Sequence, residues 1–497
     1  MNQLFRTKSI DKLIADSDQP EMRLSRTLGP WSLTALGIGS VIGTGIFILT
    51  GTAAAGQTLT VPSIFNAPVL DLLLHGPNAI STLGRPGAGP GIALSFLIVA
   101  IVCALAGLCY AELASMIPIA GSSYTYAYAT LGEIIAWIIG WDLILEYAVA
   151  SMAISVGFSA YFNDILESLF GFHLPKALSE PLVQNGQIVP GGLLNLPAVL
   201  MVMFLTWLLV RGVRESAAAN NVMVIIKIVA IMVFVITASR YIKPDNWHPF
   251  LPNGFSGVLT GSAIVFFTYV GFDGVSTAAE ECRNPQRALP FGIMMTLVVC
   301  TLLYVSVAVV LTGVANWKTL DNAAPVANVL KDLGLDGARR WVTAGALLGM
   351  ISALLVTQYG QARIWFAMGR DRLLPDAFSK VHPKFRTPHL STWIAGFFVA
   401  IPAAIWDIGT FADLTNIGTL FAFVVVSAGV VVLRKKQPER PRGFRAPFVP
   451  LLPYLSIVCC FILMLGLPLE TWIRFVVWLA VGLMIYFGYG KRRSVLA

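Results

Sequence analysis

The chain has 497 residues, of which 56% are hydrophobic and 12% charged, with a mean hydropathy of +0.75 and a formal net charge of +8. Because water-soluble domains carry about 25% charged residues, this much apolar surface excludes an ordinary soluble protein and indicates an integral membrane protein. The basic residues are spread over loops rather than clustered on one module, so the positive charge does not indicate a nucleic-acid partner.

Apolar runs recur along the whole chain and predict an all-α integral membrane protein with twelve transmembrane helices. The first 28 residues are polar and charged, so we expect no cleavable signal peptide. Placing both termini in the cytoplasm puts most of the 34 lysines and arginines on the cytoplasmic side, as the positive-inside rule requires. We expect a multi-pass protein of the cell inner membrane. The helices are expected near residues 31–55, 91–117, 131–163, 192–210, 217–241, 257–281, 290–314, 338–368, 391–406, 409–433, 450–467 and 470–489.

Between helices 1 and 2, a stretch rich in glycine and proline over residues 57–90 predicts an external loop. A short interfacial helix over Pro68 to His75 is an alternative, but it is too short to span a membrane. The plain loop is the favoured interpretation. The prolines are Pro62, Pro68, Pro77, Pro86 and Pro90.

Helix 1 contains the string GIGSVIGTGIF over residues 37–47, with four glycines in the middle of an apolar span. Backbone in a membrane leaves the helical conformation only where it lines a cavity or is packed by protein. The string therefore indicates either a broken helix or close helix packing, since small residues four apart are common at helix contacts. The glycines are Gly37, Gly39, Gly43 and Gly45.

Helix 6 is interrupted at a matching position in the second half of the chain. Its string SAIVFFTYVGFDGVSTAAEE over residues 262–281 places Gly271 and Gly274 on either side of Asp273. Interrupted helices at corresponding positions of two five-helix repeats point to a binding site between them. This second interruption favours the broken-helix interpretation of helix 1.

Broken helices expose backbone groups that suit an α-amino acid. The N–H groups around Ile42 to Gly45, at the start of the second half of helix 1, would attract a carboxylate. The carbonyls around Phe267, Thr268 and Val270 would accept hydrogen bonds from an ammonium group.

Lys227 lies in the helix-5 string NVMVIIKIVAIMVF, where a charged side chain costs roughly 3 kcal/mol and therefore usually faces a cavity or a partner. A lysine in such a place can exchange a proton at physiological pH. The alternative is that the side chain extends to the cytoplasmic interface, about two turns away.

Four acidic residues are also predicted within the membrane. Glu146 and Asp142 lie four residues apart on one face of helix 3, and Glu146 is a candidate for contact with the substrate. We expect Asp142 to be structural and Glu112, near the inner end of helix 2, to form a fixed ion pair. Asp273 is the acid at the interruption of helix 6.

No sequence signature of an enzyme is present. The chain has no P-loop, no H-E-x-x-H and no G-x-S-x-G motif, and its six cysteines lack metal-binding spacing. We therefore expect neither an enzyme nor a bound metal or cofactor. A proton is the expected coupling ion because Lys227 could exchange one.

Four strings, in order, resemble the amino acid–polyamine–organocation superfamily, and within it the bacterial relatives of the cationic amino acid transporters. The resemblance covers nearly the whole chain. The strings are GIGSVIGTGIF (37–47), CYAELASMIPIAGSSYTYAYATLGEIIAWIIGWDLILEY (109–147), FFTYVGFDGVSTAAEECRNPQRALP (266–290) and LTNIGTLFAF (414–423).

The resemblance implies the leucine-transporter fold, with five plus five inverted helices and two peripheral ones. The expected units are a cytoplasmic tail (1–30), a first repeat with its external loop (31–241), a second repeat (257–433), helices 11 and 12 (450–489) and a second tail (490–497).

The resemblance also implies site residues. The carboxylate-binding backbone falls on Ile42, Gly43, Thr44 and Gly45, and the ammonium-binding backbone on Phe267, Thr268 and Val270. Lys227 stands where sodium-coupled relatives bind a second sodium ion. Glu146 falls beside the side-chain pocket and Asp273 near the unwound turn. Two features depart from the family: the 57–90 loop is long, and Thr268 adds a hydroxyl where a small apolar residue is common.

The predicted function is secondary active uptake of L-amino acids, by proton symport through alternating access. The alternatives are an exchanger without proton coupling, in which Lys227 is a permanent brace, and a sensor that binds an amino acid without moving it. Small or branched neutral substrates are favoured, and Glu146 or Asp273 facing the pocket would instead favour arginine or lysine. The expected partners are an amino acid, a proton and the lipid bilayer, and nothing requires more than a monomer.

Overall fold

A computed structural model of the protein describes residues 3–11, 28–58, 63–76, 84–119, 121–184, 187–212, 217–385 and 387–494. Parts of the expected cytoplasmic tails (1–30 and 490–497) and of the 57–90 loop, including Pro62 and Pro77, lie outside the described residues.

Within these ranges, twelve apolar helical segments follow one another in the order of the predicted helices and are labelled α1 to α12. Eight are long and apolar enough to cross a membrane, α1 reaches that length as a bent pair, and α4, α9 and α11 are shorter. Such a set of helices makes a multi-pass membrane protein. The segments are α1 (Pro30–Val41 and Gly45–Ala55), α2 (Ile92–Met116), α3 (Glu133–Phe170), α4 (Leu196–Val210), α5 (Ala217–Ala238), α6 (Gly254–Ala279), α7 (Pro285–Val314), α8 (Asp336–Arg370), α9 (His389–Ile405), α10 (Ile408–Lys436), α11 (Leu451–Leu465) and α12 (Leu469–Arg493).

The described parts of the 57–90 segment contain more regular structure than the plain loop that the sequence favoured. Strand β1 (Gly56–Thr58) pairs antiparallel with strand β2 (Gly84–Pro86), and Gln57 faces Arg85 across this ribbon. A short helix over Val69–His75 matches the interfacial alternative in position. The ribbon forms because residues 84–86 lie directly beside residues 56–58, which follow the end of α1. The second ribbon, β3 (Val183–Gln184) with β4 (Gln187–Ile188), follows α3.

Helix α3 occupies the centre of the bundle and contacts α4, α8, α9, α10 and α12. Helix α7 packs against α1 and α2, and α5 packs against α1 and α8. Glycine allows the closest of these approaches. A Cβ atom on Gly345 of α8 would lie 2.4 Å from the Ala230 Cβ of α5, and one on Gly396 of α9 would meet the Thr206 side chain of α4 at 2.3 Å. Small residues therefore set the distances between the helices.

Glu112 forms the fixed ion pair that the sequence predicted. Its carboxylate is 1% exposed and accepts hydrogen bonds from Nε and Nη2 of Arg434, both at 2.8 Å, and from Nε of Arg442 at 3.2 Å. The backbone N–H of Ala446 donates to the same carboxylate at 2.8 Å. The cluster ties the end of α2 to the end of α10 and the segment after it.

Replacing Glu112 with glutamine is expected to destabilise the protein by about 3 kcal/mol, because two arginines then lose their buried anionic partner. The measurement is the midpoint of thermal unfolding of the purified protein in detergent, which should fall by several degrees. Asp11→Asn is the matched control, since Asp11 pairs with Arg440 at 2.6 Å but is 80% exposed. An equal midpoint shift in both variants would contradict the prediction.

Candidate functional site

Helix α1 is broken where the glycine-rich string predicted. Its first segment ends at Val41, and Ile42 adopts an extended conformation with ψ of 100°. The second segment starts at Gly45 with a π-helical turn over Gly45–Leu49, and the two segments are bent by 48°. Close packing, the alternative interpretation, also holds for other glycines of the string: a Cβ on Gly39 would lie 2.5 Å from the Asn220 Oδ1 of α5.

Helix α6 is interrupted as well. Its α-helical part ends at Val265, a 3₁₀ turn covers Phe266–Tyr269, and Val270 is extended with ψ of 133°. Gly271 then has a φ of +108°, which side-chain-bearing residues rarely adopt, and a 3₁₀ helix follows over Phe272–Glu281. Sequence pattern thus located both interruptions correctly.

The two interruptions touch each other. A Cβ on Gly45 would lie 2.9 Å from the Thr268 Cα and 2.8 Å from its Cγ2, so the backbones of α1 and α6 are in direct contact there. One turn away, a Cβ on Gly271 would lie 2.6 Å from the Ser40 Oγ of α1. The structure therefore brings the predicted carboxylate-binding and ammonium-binding segments together.

The predicted site residues are buried, apart from the half-buried Val270. Thr44 packs against α3, where its Oγ1 donates to the Ile154 carbonyl at 3.4 Å. Phe267 already accepts a bond from the Val270 N–H at 3.2 Å. The Thr268 hydroxyl, which departs from the family pattern, donates to the Val265 carbonyl at 2.7 Å within its own helix. This hydroxyl therefore has its hydrogen-bond partner within α6 itself.

Lys227 is fully buried, and its Nζ donates a 2.6 Å hydrogen bond to the carbonyl of Gly39 in α1. The alternative in which this side chain extends to the cytoplasmic interface is wrong, because the ammonium is held inside the bundle by α1. Gly349 of α8 makes room for the side chain, since a Cβ there would lie 3.3 Å from the Lys227 Cε. Lys227 thus joins α5 to the segment of α1 just before the break.

The acidic residues near the interruptions lie on α3 and α6. The charged Glu146 carboxylate is repelled by the carboxylates of Asp273 and Asp142. Its Oε2 has no hydrogen-bond partner in the described part of the chain. Asp273 accepts a long bond of 3.5 Å from the Ser122 hydroxyl. Asp142, expected to be structural, packs against Gly418 of α10, and neither of its oxygens has a partner among the described residues.

Sequence reasoning missed two residues that hold the interruptions in place. The Tyr304 hydroxyl of α7 lies 3.2 Å from the Val41 carbonyl and 2.9 Å from the Thr268 carbonyl, so it contacts both broken helices. Asn416 of α10 donates from Nδ2 to the Ala263 carbonyl of α6 at 2.8 Å. The available signal was a hydroxyl or amide within an apolar run, because such groups must find hydrogen-bond partners away from water.

Comparison with known proteins gives a consistent result. A family model described as amino acid permease matches residues 28–487. The chain is 47% identical to the branched-chain amino acid permease BcaP of Bacillus subtilis (strain 168), over 99% of each chain. It is 45% identical to the methylthioribose transporter of the same organism over the full length of both. It is also 35% identical to cationic amino acid transporter 9, chloroplastic, of Arabidopsis thaliana, over 88% of this chain and 72% of the relative.

Proposed function

Since the chain belongs to the amino acid permease family and is therefore a membrane transporter rather than an enzyme, we propose that it takes up L-amino acids together with protons. The observation that carries the proposal is the direct contact between the interruptions of α1 and α6, at Gly45 and Thr268. Interrupted helices that meet inside a bundle are the usual substrate site of such transporters.

We propose that all twelve helices span the inner membrane, with both termini cytoplasmic, in two inverted repeats over 31–241 and 257–433 followed by peripheral helices over 450–489. Helix packing supports this arrangement. Matching each helix of the first repeat to the helix five places later exchanges α2 with α7, α3 with α8 and α4 with α9. The two helices of each of these pairs are in contact, so the exchange leaves the contacts unchanged. The contact α3–α10 likewise maps onto α8–α5, and α1–α7 maps onto α6–α2. This pattern is expected of two structurally equivalent halves.

In the proposed site, a substrate carboxylate binds the backbone N–H groups from Gly43 to Gly45, at the positive end of the second α1 segment. Ile42, which the sequence included, does not contribute its N–H, because that group already donates to the Ile38 carbonyl at 2.9 Å. The ammonium binds the carbonyls of Phe267, Thr268 and Val270. The Thr268 carbonyl already accepts a bond from Tyr304 and retains its second lone pair for the substrate. Glu146 and Asp273 border the site from α3 and α6.

Branched-chain neutral amino acids are the proposed substrates. The support is the 47% identity to a relative named as a branched-chain amino acid permease, together with a second relative of that name from Lactococcus lactis at 32% identity. The Glu146 Oε2 atom has no hydrogen-bond partner among the residues that the structure describes, so arginine and lysine stay within the panel to be tested.

Lys227 is the proposed coupling residue. When charged, its ammonium holds the Gly39 carbonyl through a 2.6 Å bond and fixes α1 beside α5. Loss of the proton weakens this bond and releases α1, so that opening and closing around the substrate are linked to proton transfer. A permanently charged Lys227 would instead act as a brace and give an exchanger.

A second candidate, methylthioribose transport, is favoured by the 45% identity to the relative of that name over the full length of both chains. Methylthioribose has neither a carboxylate nor an ammonium group. The opposite partial charges at the two helix interruptions therefore support the amino acid as the better-matched substrate.

The test is uptake into proteoliposomes that contain the purified protein. Radiolabelled branched-chain, small neutral and cationic L-amino acids and methylthioribose are each supplied with and without an inward proton gradient. Gradient-stimulated accumulation of a branched-chain amino acid supports the proposal. Counterflow that ignores the gradient would identify an exchanger, accumulation of methylthioribose alone would identify the second candidate, and binding without accumulation would identify a sensor.

Tyr304→Phe is expected to lower the uptake rate roughly tenfold while the protein still folds. The variant removes one hydroxyl that contacts both interrupted helices, and an unsatisfied buried carbonyl costs about 1–3 kcal/mol. Initial uptake rates in proteoliposomes provide the measurement, with Tyr489→Phe at the end of α12 as the control. Uptake equal to wild type in Tyr304→Phe would show that this contact does not support the site.

A further inference from the structure

A basic loop connects α10 to α11 and is held against the bundle. Residues 434–451 contain six lysines and arginines and a single acidic residue. Beyond the carboxylate cluster described above, the Phe444 N–H donates to the Ser115 hydroxyl of α2 at 3.1 Å. A Cβ on Gly443 would lie 2.4 Å from the Gln286 Cβ of α7, so the loop also packs closely on that helix. The loop is therefore fixed at two places.

One arginine of this loop organises its backbone from within. The Arg442 side chain is 1% exposed, and its Nη1 donates to the carbonyls of Pro438 at 2.8 Å and of Arg440 at 2.9 Å. A guanidinium has five N–H donors in a fixed plane, so these bonds fold the loop around it. The exposed side chains of the loop are consequently carried on a rigid support.

Three cations of the loop remain at the surface. Lys435, Lys436 and Arg445 are exposed, and none of them forms an ion pair within the described part of the chain. Arg445 lies close enough to Arg442 for the two guanidinium groups to repel each other. Like charges held together on a fixed loop raise the local positive potential, which favours a bound anion.

An apolar side chain is exposed beside these cations. Phe448 lies three residues after Arg445 and is 80% exposed, the highest fraction among the large apolar side chains of the described residues. Leu451, at the start of α11, is 61% exposed. Such side chains are costly in water and are stabilised at the boundary between lipid head groups and acyl chains. The proposed topology places this loop at the cytoplasmic surface of the membrane, where that boundary lies.

We propose that the loop between α10 and α11 binds an anionic phospholipid of the cytoplasmic leaflet. The head-group phosphate pairs with the exposed cations Lys435, Lys436 and Arg445, and an acyl chain packs on Phe448. Clusters of about four to eight basic residues beside the cytoplasmic end of a transmembrane helix are typical of such sites. An acidic protein segment would match the cations but would leave the phenylalanine in water, so a lipid fits both features.

The test measures lipid binding by the purified full-length protein in a neutral detergent. Phosphatidylglycerol and phosphatidylcholine with the same acyl chains are titrated in turn, and native mass spectrometry counts the lipid molecules bound to each protein. We expect phosphatidylglycerol to bind at least about tenfold more tightly than phosphatidylcholine. Equal binding of the two lipids would overturn the proposal.

The decisive variant combines Lys435→Gln, Lys436→Gln and Arg445→Gln. Its preference for phosphatidylglycerol should disappear, because the exposed cations of the loop are gone. Arg442 and its contacts are untouched, so the thermal midpoint without lipid should equal that of wild type. A preference that survives in this variant would rule out the loop as the binding site.

The matched control removes three exposed cations from other segments that the proposed topology places in the cytoplasm, by Lys380→Gln, Lys384→Gln and Arg492→Gln. This control should keep the preference for phosphatidylglycerol. A loss as large as that of the loop variant would show a general attraction between a basic protein and anionic lipid, and the specific site would be rejected.

Phe448→Asn distinguishes a lipid from other anions. Asparagine tolerates the φ of +51° at this position, and the variant keeps every cation of the loop. Binding of phosphatidylglycerol should weaken severalfold, because the acyl chain loses its apolar contact. Inorganic phosphate and a polyaspartate peptide are added to wild type as competitors and should displace little lipid. Binding that ignores Phe448→Asn, or full displacement by phosphate or polyaspartate, would replace the lipid with a soluble anion or an acidic protein.

Discussion

Lys227→Met is expected to abolish proton-stimulated uptake without unfolding the protein. Methionine nearly matches the lysine stem in length but cannot carry a proton or donate to the Gly39 carbonyl, which Lys227 holds at 2.6 Å. A hydrogen bond from a charged group contributes about 1.5–3 kcal/mol. Its loss corresponds to a change of roughly ten- to a hundredfold in the equilibrium between the positions of α1 that are held and released by Lys227. Removing a buried charge also removes its desolvation cost, so the thermal midpoint should be unchanged or higher.

The measurement is leucine uptake into proteoliposomes across a range of imposed proton gradients. Wild-type uptake should rise with the gradient, and uptake by Lys227→Met should be low and independent of it. Lys318→Met is the control, because Lys318 lies over the Trp317 ring in an exposed turn away from the site. Gradient-stimulated uptake in Lys227→Met with wild-type kinetics would reject coupling through Lys227.

Gly45→Ala is expected to reduce uptake of every substrate by at least about tenfold. The added Cβ would lie 2.9 Å from the Thr268 Cα, which is backbone and cannot rotate away. The interrupted segments of α1 and α6 must then separate, and overpacking of this kind costs about 1–3 kcal/mol. Both halves of the proposed site would be displaced by the same change.

Initial uptake rates and the binding affinity for leucine should fall together in Gly45→Ala, because the defect lies in the site and not in coupling. Gly337→Ala in α8 is the matched control, since a Cβ there meets no atom within 4 Å. The control should transport normally. If Gly45→Ala bound leucine as tightly as wild type, the contact between the two interruptions would not be the substrate site.

Hydropathy and glycine spacing predicted the helical segments and both interruptions, because these properties are local in the sequence. Burial of Lys227 was also predictable from its apolar neighbours. Its partner was not, since Gly39 lies 188 residues away and contributes only a backbone carbonyl. A backbone group carries no side-chain signature that a sequence could reveal.

Polar contacts between residues far apart in the chain likewise could not be predicted from the sequence. Glu112 was correctly predicted to form an ion pair, but the choice of Arg434 and Arg442 depends on how α2 and α10 pack. Tyr304 and Asn416 were missed: each is a polar residue in an apolar run, and the sequence does not indicate which carbonyls they reach. The β1–β2 ribbon was missed because three-residue strands in a glycine- and proline-rich stretch show no alternation pattern.

The position of Tyr304 has a mechanical consequence for how the two interrupted helices can part. Its hydroxyl carries a single proton, and the carbonyls of Val41 and Thr268 compete for it at 3.2 and 2.9 Å. When either helix moves away, a small rotation of the O–H bond directs the hydrogen bond entirely to the carbonyl of the helix that stays in place. Tyr304 therefore keeps one full hydrogen bond whichever of the two helices moves, and the separation of α1 from α6 costs little hydrogen-bond energy.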